Sequence, residues 1–227
     1  HNVITSFPAT QGTNGQLLTN NGAGVLSWTN GNAFNWGTSG NTGTIADTNF
    51  IGNVDDVALE FRMNNQRAGY IGNDANFNAY FGHLSGFSNT SGNGNTGIGK
   101  NALGGNTTGG GNTAVGNGAA ISNLLASNNV AIGESALVNN QNAGRNTAVG
   151  ASAMLNFNFT NGGASYNTNN TAIGRASFVN LNGTTNSNAN DNVAIGVNSG
   201  FHATTNTGCT YLGTSTTDAT TGYINGT

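Results

Sequence analysis

The chain has 227 residues and a formal net charge of −3; 37 residues are Gly, Asn is more numerous still, and only 6% are charged, against about 25% in an ordinary soluble domain. One Cys excludes an intramolecular disulfide framework and a Cys-built zinc site, and a single Pro without a Gly-x-y period excludes collagen. Five basic residues exclude an electrostatic nucleic-acid binder, and no apolar run approaches the ~18 residues of a membrane helix.

Residues 1–14 read as an N-terminal arm. Alternation in Val3-Ile4-Thr5-Ser6-Phe7 stops at Pro8, giving either a frayed terminus or a strand that adds to a neighbouring copy. The chain begins at His1 rather than Met, which fits removal of a signal segment and equally fits an arbitrary boundary.

Residues 15–77 read as an N-terminal domain of β-hairpins. Gln16–Thr19 and Val25–Trp28 flank a turn rich in Asn and Gly. Residues 29–53 read as loop and short strands anchored by Phe34, Trp36, Ile45 and Phe50. A second hairpin spans 57–71. Val57, Leu59, Phe61 and Met63 share one face, Asn64-Asn65 makes the turn, and Arg67 to Ile71 returns. Glu60 and Arg62 are either a solvated pair or a contact between subunits.

Residues 78–227 read as a repeat domain. A bulky apolar residue followed by Gly recurs at Phe81-Gly82, Ile98-Gly99, Val115-Gly116, Ile132-Gly133, Val149-Gly150, Ile173-Gly174, Ile195-Gly196 and Leu212-Gly213. The intervals are 17 residues four times, then 24, 22 and 17. Six of the pairs follow an Asn, a Thr or Val, and an Ala or Gly, as in Asn170-Thr171-Ala172. Three residues beyond the Gly stands a small residue (Ser85, Ala102, Ala119, Ala136, Ala153, Ser177, Ser199), with a bulky apolar one usually close behind. Fixed-period similarity is the mark of stacked repeats. We therefore expect an all-β fold, a parallel β-solenoid of two short strands and two turns per 17-residue coil, with equivalent Asn side chains stacked in a ladder.

In a strand, alternate residues face opposite sides. Thr171 and Ile173 share a side, as do Asn170 and Ala172. The Ile side is expected to be core, and the Ala side a close-packing surface between rods. Thr columns that point inward with Ile argue against an ice-binding face. Two or three apolar side chains per coil, at ~1.5–3 kcal/mol each, barely offset the backbone entropy of folding. A lone rod is then marginal, and the chain itself, in an obligate oligomer, is the expected partner. Solenoid ends without an evident cap invite end-to-end polymerisation.

Catalytic chemistry has little to draw on. Of the eight acids only Asp55 and Asp56 are adjacent, and His1, His83 and His202 lack metal-ligand spacing. We expect no enzyme activity, no cofactor and no metal. The long intervals are the places for binding, because insertions in solenoids become loops on one side. The first, 156–170, carries Phe157, Phe159 and Tyr166, which either stack on a surface glycan or fold back to close the widened coil. Cys209 stands where other repeats have Asn, either as a buried filler or as a lock where copies meet.

The string Asn-Thr-Ala-Ile-Gly-x-x-Ala/Ser over residues 78–213 resembles the head repeats of trimeric autotransporter adhesins. That resemblance implies a left-handed parallel β-roll packed as a homotrimer that binds a host receptor or matrix. The longer intervals depart from the family, as does the lack of a heptad stalk and an anchoring barrel. Gln11–Thr19, Gly24–Trp28 and Leu59–Ile71 resemble segments of phage tail-fibre and bacterial surface-fibre proteins, which often carry an endosialidase-type chaperone; no such chaperone is found in this sequence. Together these resemblances imply an extracellular or cell-surface fibre or adhesin, or alternatively a virion-associated, receptor-binding tail fibre of a phage or contractile injection system.

Overall fold

A computed structural model describes residues 7–30, 51–73, 75–158, 163–183, 189–214 and 223–225. Phe34, Trp36, Ile45, Phe50 and Phe159 lie outside them. The chain divides into two compact units, His1–Gly52 and Asn53–Thr227.

The first unit holds the hairpin expected from its turn residues. Strands β1 (Gln16–Asn20) and β2 (Leu26–Asn30) pair antiparallel, with Leu18 opposite Trp28. Asn21 holds the loop by accepting the amides of Ala23 and Val25 on its side-chain oxygen.

The second unit is built around one long sheet. It opens with β3 (Leu59–Met63) and β4 (Gln66–Ile71), joined by Asn64 and Asn65 at φ 48° and 56°, the left-handed geometry of a tight hairpin turn. This hairpin does not group with residues 15–52 as the sequence suggested. It pairs antiparallel with β5 (Ala79–Phe81) and so starts the repeat sheet. Glu60 and Arg62 pair with each other at 2.6 Å within the chain. They stand two apart on one side of β3.

From β5 the strands run parallel, one per coil: β6 (Thr96–Ile98), β7 (Thr113–Val115), β8 (Val130–Ile132), β10 (Thr147–Val149), β12 (Thr171–Ile173), β13 (Val193–Ile195) and β14 (Cys209–Leu212). Equivalent residues sit opposite one another throughout, Ala114 beside Ala131 and Ala131 beside Ala148. A β-solenoid-like fold follows. The last strand, β15 (Tyr223–Asn225), pairs antiparallel with β14. Both ends of the parallel stack are thus covered by an antiparallel strand, against the expectation of open ends.

Each coil contributes one strand to this sheet, not two. Most of the return path is a run of turns with positive φ, as at Asn101 and Leu103 (58° and 53°), stacked by bonds such as Leu103 N to Ala119 O at 3.0 Å. Among the described residues a second parallel pairing forms only where β9 (Ala143–Gly144) meets β11 (Tyr166–Asn167), at the first long interval.

Two ladders of buried amides tie the coils together. In the first, the side-chain oxygen of one Asn accepts the backbone N–H of the next: Asn78 from Asn95, Asn95 from Asn112, Asn112 from Asn129, Asn129 from Asn146, all at 2.8–3.0 Å. It continues through Asn170 and Asn192 to the amide of Cys209, whose side chain is buried. The second ladder is Asn89, Asn106, Asn123 and Asn140. Each donates to the carbonyl three residues on, and each after Asn89 also donates to the Asn before it.

Each strand ends at a Gly whose φ lies between 104° and 136°. At Gly116 an added Cβ would lie 2.5 Å from the carbonyl oxygen of Gly133. Backbone geometry and coil-to-coil approach therefore both demand Gly at this corner.

Candidate interaction face

The facing of the strands is opposite to the sequence expectation. Ala114, Ala131, Ala148, Ala172 and Ala194 are completely buried, whereas Ile98, Ile132, Ile173, Ile195 and Leu212 are 40–47% exposed. The Ala column is the lumen of the coil, not a surface between rods. The interior is narrow and already holds the small residues Ala102, Ala119, Ala136 and Ala153, the Leu103, Leu137 and Met154 side chains, and the amide ladders. A γ-branched side chain at the strand centre has no room there.

The column is closed by aromatic residues at its two ends. Tyr80 takes the Ala position in the first coil and Tyr211 in the last parallel strand. Tyr80 lies against Gly97, where an added Cβ would meet its ring at 2.9 Å. Tyr211 meets Phe178 edge-on at 5.4 Å. Arg67 of β4 donates to the Gly86 carbonyl at 2.8 Å and lies over the rings of Tyr70 and Tyr80, covering the first coil. The Tyr80 hydroxyl is buried without a hydrogen-bond partner. Burial pushes its pKa up to about 12, with the nearby Asn95 side chain and Arg67 opposing the shift and the Tyr70 hydroxyl adding to it.

What faces outward is a pair of straight columns along the whole sheet. One runs Phe61, Gly69, Phe81, Ile98, Val115, Ile132, Val149, Ile173, Ile195, Leu212; the other runs Leu59, Ile71, Ala79, Thr96, Thr113, Val130, Thr147, Thr171, Val193, Thr210. Phe61 and Phe81 approach across Gly69 with ring centroids 6.3 Å apart. A continuous apolar stripe of this length is unusual on a monomer. Thr now points outward, so the facing no longer argues against ice binding. Val130 and Val193 still interrupt the Thr column, and its neighbour has no Thr.

The three expected binding residues do not form an exposed patch. Phe157 is completely buried, so it cannot stack on a glycan in this structure. It occupies the position that Asn140 holds one coil earlier, as the matching amide bonds to Leu137 and Met154 show. Tyr166 lies half-buried in β11, with its hydroxyl 3.4 Å from the Asn190 side-chain nitrogen. Phe159 is outside the described residues.

Among the described residues no group of three His, Cys, Asp or Glu is placed to hold a metal ion, and no helix is long and apolar enough to cross a membrane. The outward apolar column is the feature that sequence reasoning missed. Its signal was the size pattern. The Ala position admits a large residue only at Tyr80 and Tyr211, whereas the Ile position accepts Phe, Ile, Val and Leu freely. Comparisons with protein-family models, curated proteins and solved structures find no match to this chain.

Proposed function

We propose that this chain is the subunit of an extracellular structural fibre or adhesin, and that it acts by packing its outward face against copies of itself. The observation that carries the reading is the apolar stripe from Phe61 to Leu212. Water-exposed aliphatic rows of this kind are stabilised by burial at about 25 cal/mol per Å² of apolar surface. A homotrimer of left-handed β-rolls, as the adhesin-head resemblance implies, covers such a stripe around one axis. Charge-poor, Asn- and Thr-rich outer surfaces then remain for contact with a surface glycan or host receptor.

Ile132→Asp tests this. On a monomer an exposed substitution changes stability by less than about 0.5 kcal/mol. In the assembly it places three carboxylates on one dry axis. We expect light scattering to show the variant dissociated while its circular dichroism stays native. A variant that keeps the native mass of the parent overturns the proposal.

A further inference from the structure

The few charges of the repeat region have a common address. Between residues 78 and 213 the charged side chains are Lys100, Glu134, Arg145, Arg175 and Asp191. Lys100, Glu134 and Arg175 each follow the corner Gly, and their carbonyls accept the same coil-to-coil bond, from Gly118, Ser152 and Asn198. Arg145 and Asp191 each precede a ladder Asn, at φ 61° and 56°. All five side chains are exposed. They flank the two edges of the apolar face, and the other sides of the solenoid carry none.

Rotation about an axis parallel to the solenoid brings one edge of this face beside the opposite edge of the next copy. Arg145 lies one coil beyond Glu134, and Asp191 lies one coil beyond Arg175. The stagger is the same in both cases, and the signs are opposite in both. We infer that neighbouring parallel copies of this chain are held in register by two ion pairs, Glu134 with the neighbour's Arg145 and Arg175 with the neighbour's Asp191. This rests on the self-association proposed above and names its alignment. Within one chain the two edges are roughly 20 Å apart, six residues of extended backbone, and no ion pair joins them, so coupling between Glu134 and Arg145 has to pass through a second copy.

Asn169 donates to Asp191 at 2.9 Å and Asn117 approaches Glu134 at 3.5 Å, so each carboxylate is already oriented at its edge. Lys100 has Gly111 at the equivalent staggered position and contributes no pair.

Charge reversal reads the pairing directly. In the full chain, Glu134→Arg or Arg145→Glu alone should raise the dissociation constant of the assembly at least about tenfold, because like charges then meet at a partly desolvated edge. The double variant should return to within about threefold of the parent. Raising salt from about 0.05 M to about 0.5 M should weaken the parent assembly and leave the Glu134→Gln/Arg175→Gln variant nearly unchanged. An antiparallel arrangement sets Glu134 against Arg175 instead. Rescue of Glu134→Arg by Arg175→Glu and not by Arg145→Glu therefore overturns the parallel register. An assembled parent indifferent to every one of these variants and to salt overturns the ion pairs alone. A parent that stays monomeric overturns the self-association reading with them.

Discussion

At the scale of single residues, side-chain volume and amide chemistry decide the structure. Asn112 shows how tightly the ladder is drawn. Its oxygen accepts the Asn129 amide at 3.0 Å, and its nitrogen donates to the Ala126 carbonyl at 2.9 Å. Asn112→Ala leaves the buried Asn129 amide unpaired, at ~1–3 kcal/mol, while the Ala126 carbonyl keeps its bond from Asn123 at 2.9 Å. We expect a loss of about 1–3 kcal/mol in chemical denaturation, where an exposed Asn such as Asn139 should lose almost nothing. Tyr80 supplies a second test. Its pKa is raised from 10.0 to about 12 in the fold, so the folded chain holds that proton more tightly than the unfolded chain. Stability from this group is intact below pH 10 and falls as pH rises from about 10 to about 12, by up to about 2 kcal/mol. Tyr80→Phe should remove that alkaline loss. At pH 7 it should change stability by no more than about 1 kcal/mol, since the hydroxyl's interaction with Asn95 falls short of hydrogen-bond geometry. Thermal unfolding of both proteins at pH 7 and pH 11 checks the point.

At the scale of elements, both hairpins were legible in the sequence, because Asn and Gly turns and alternating strands are local signals. β1 and β2 lie within two residues of the expected bounds, and the Asn64-Asn65 turn stands where its residues put it. The coil repeat and the first Asn ladder were legible from the 17-residue spacing. The facing was not. Alternation says that Thr171 and Ile173 differ in side from Ala172, but hydrophobicity chooses Ile for the interior, while the narrow coil admits only Ala. The second ladder was hidden because Asn is common everywhere in this chain. Its loss accompanies the irregular coils but does not by itself lengthen a coil, since Ala203 stands at the same position in a coil of 17 residues. Where Asn140 gives way to Phe157 and then Leu181, the amide that closes the turn is missing, and these are the coils with 24- and 22-residue intervals. Phe157 and Leu181 are completely buried, so these widened coils are filled from inside. Of the two readings of the aromatic insertion, Phe157 follows the one in which it folds back into the core.

For the whole molecule, the inverted facing leads to the proposed assembly. A solenoid lined with Ala and Asn buries little apolar surface per coil, and its larger aliphatic side chains stand on the outer wall. The oligomer expected from a thin core is therefore proposed from the opposite face, with rods meeting through Ile, Val and Phe rather than through Ala. The capped ends at β3 and β15 offer no bare parallel edge, so end-to-end polymerisation has no support in the fold. In the proposed assembly the charges at the face edges would set the alignment and add a salt-dependent part of the contact strength. Native mass by multi-angle light scattering across a dilution series is the direct measurement of this account. We expect a discrete particle of three times 22.8 kDa that dissociates only on dilution or in salt; a folded particle of 22.8 kDa at every concentration would contradict it.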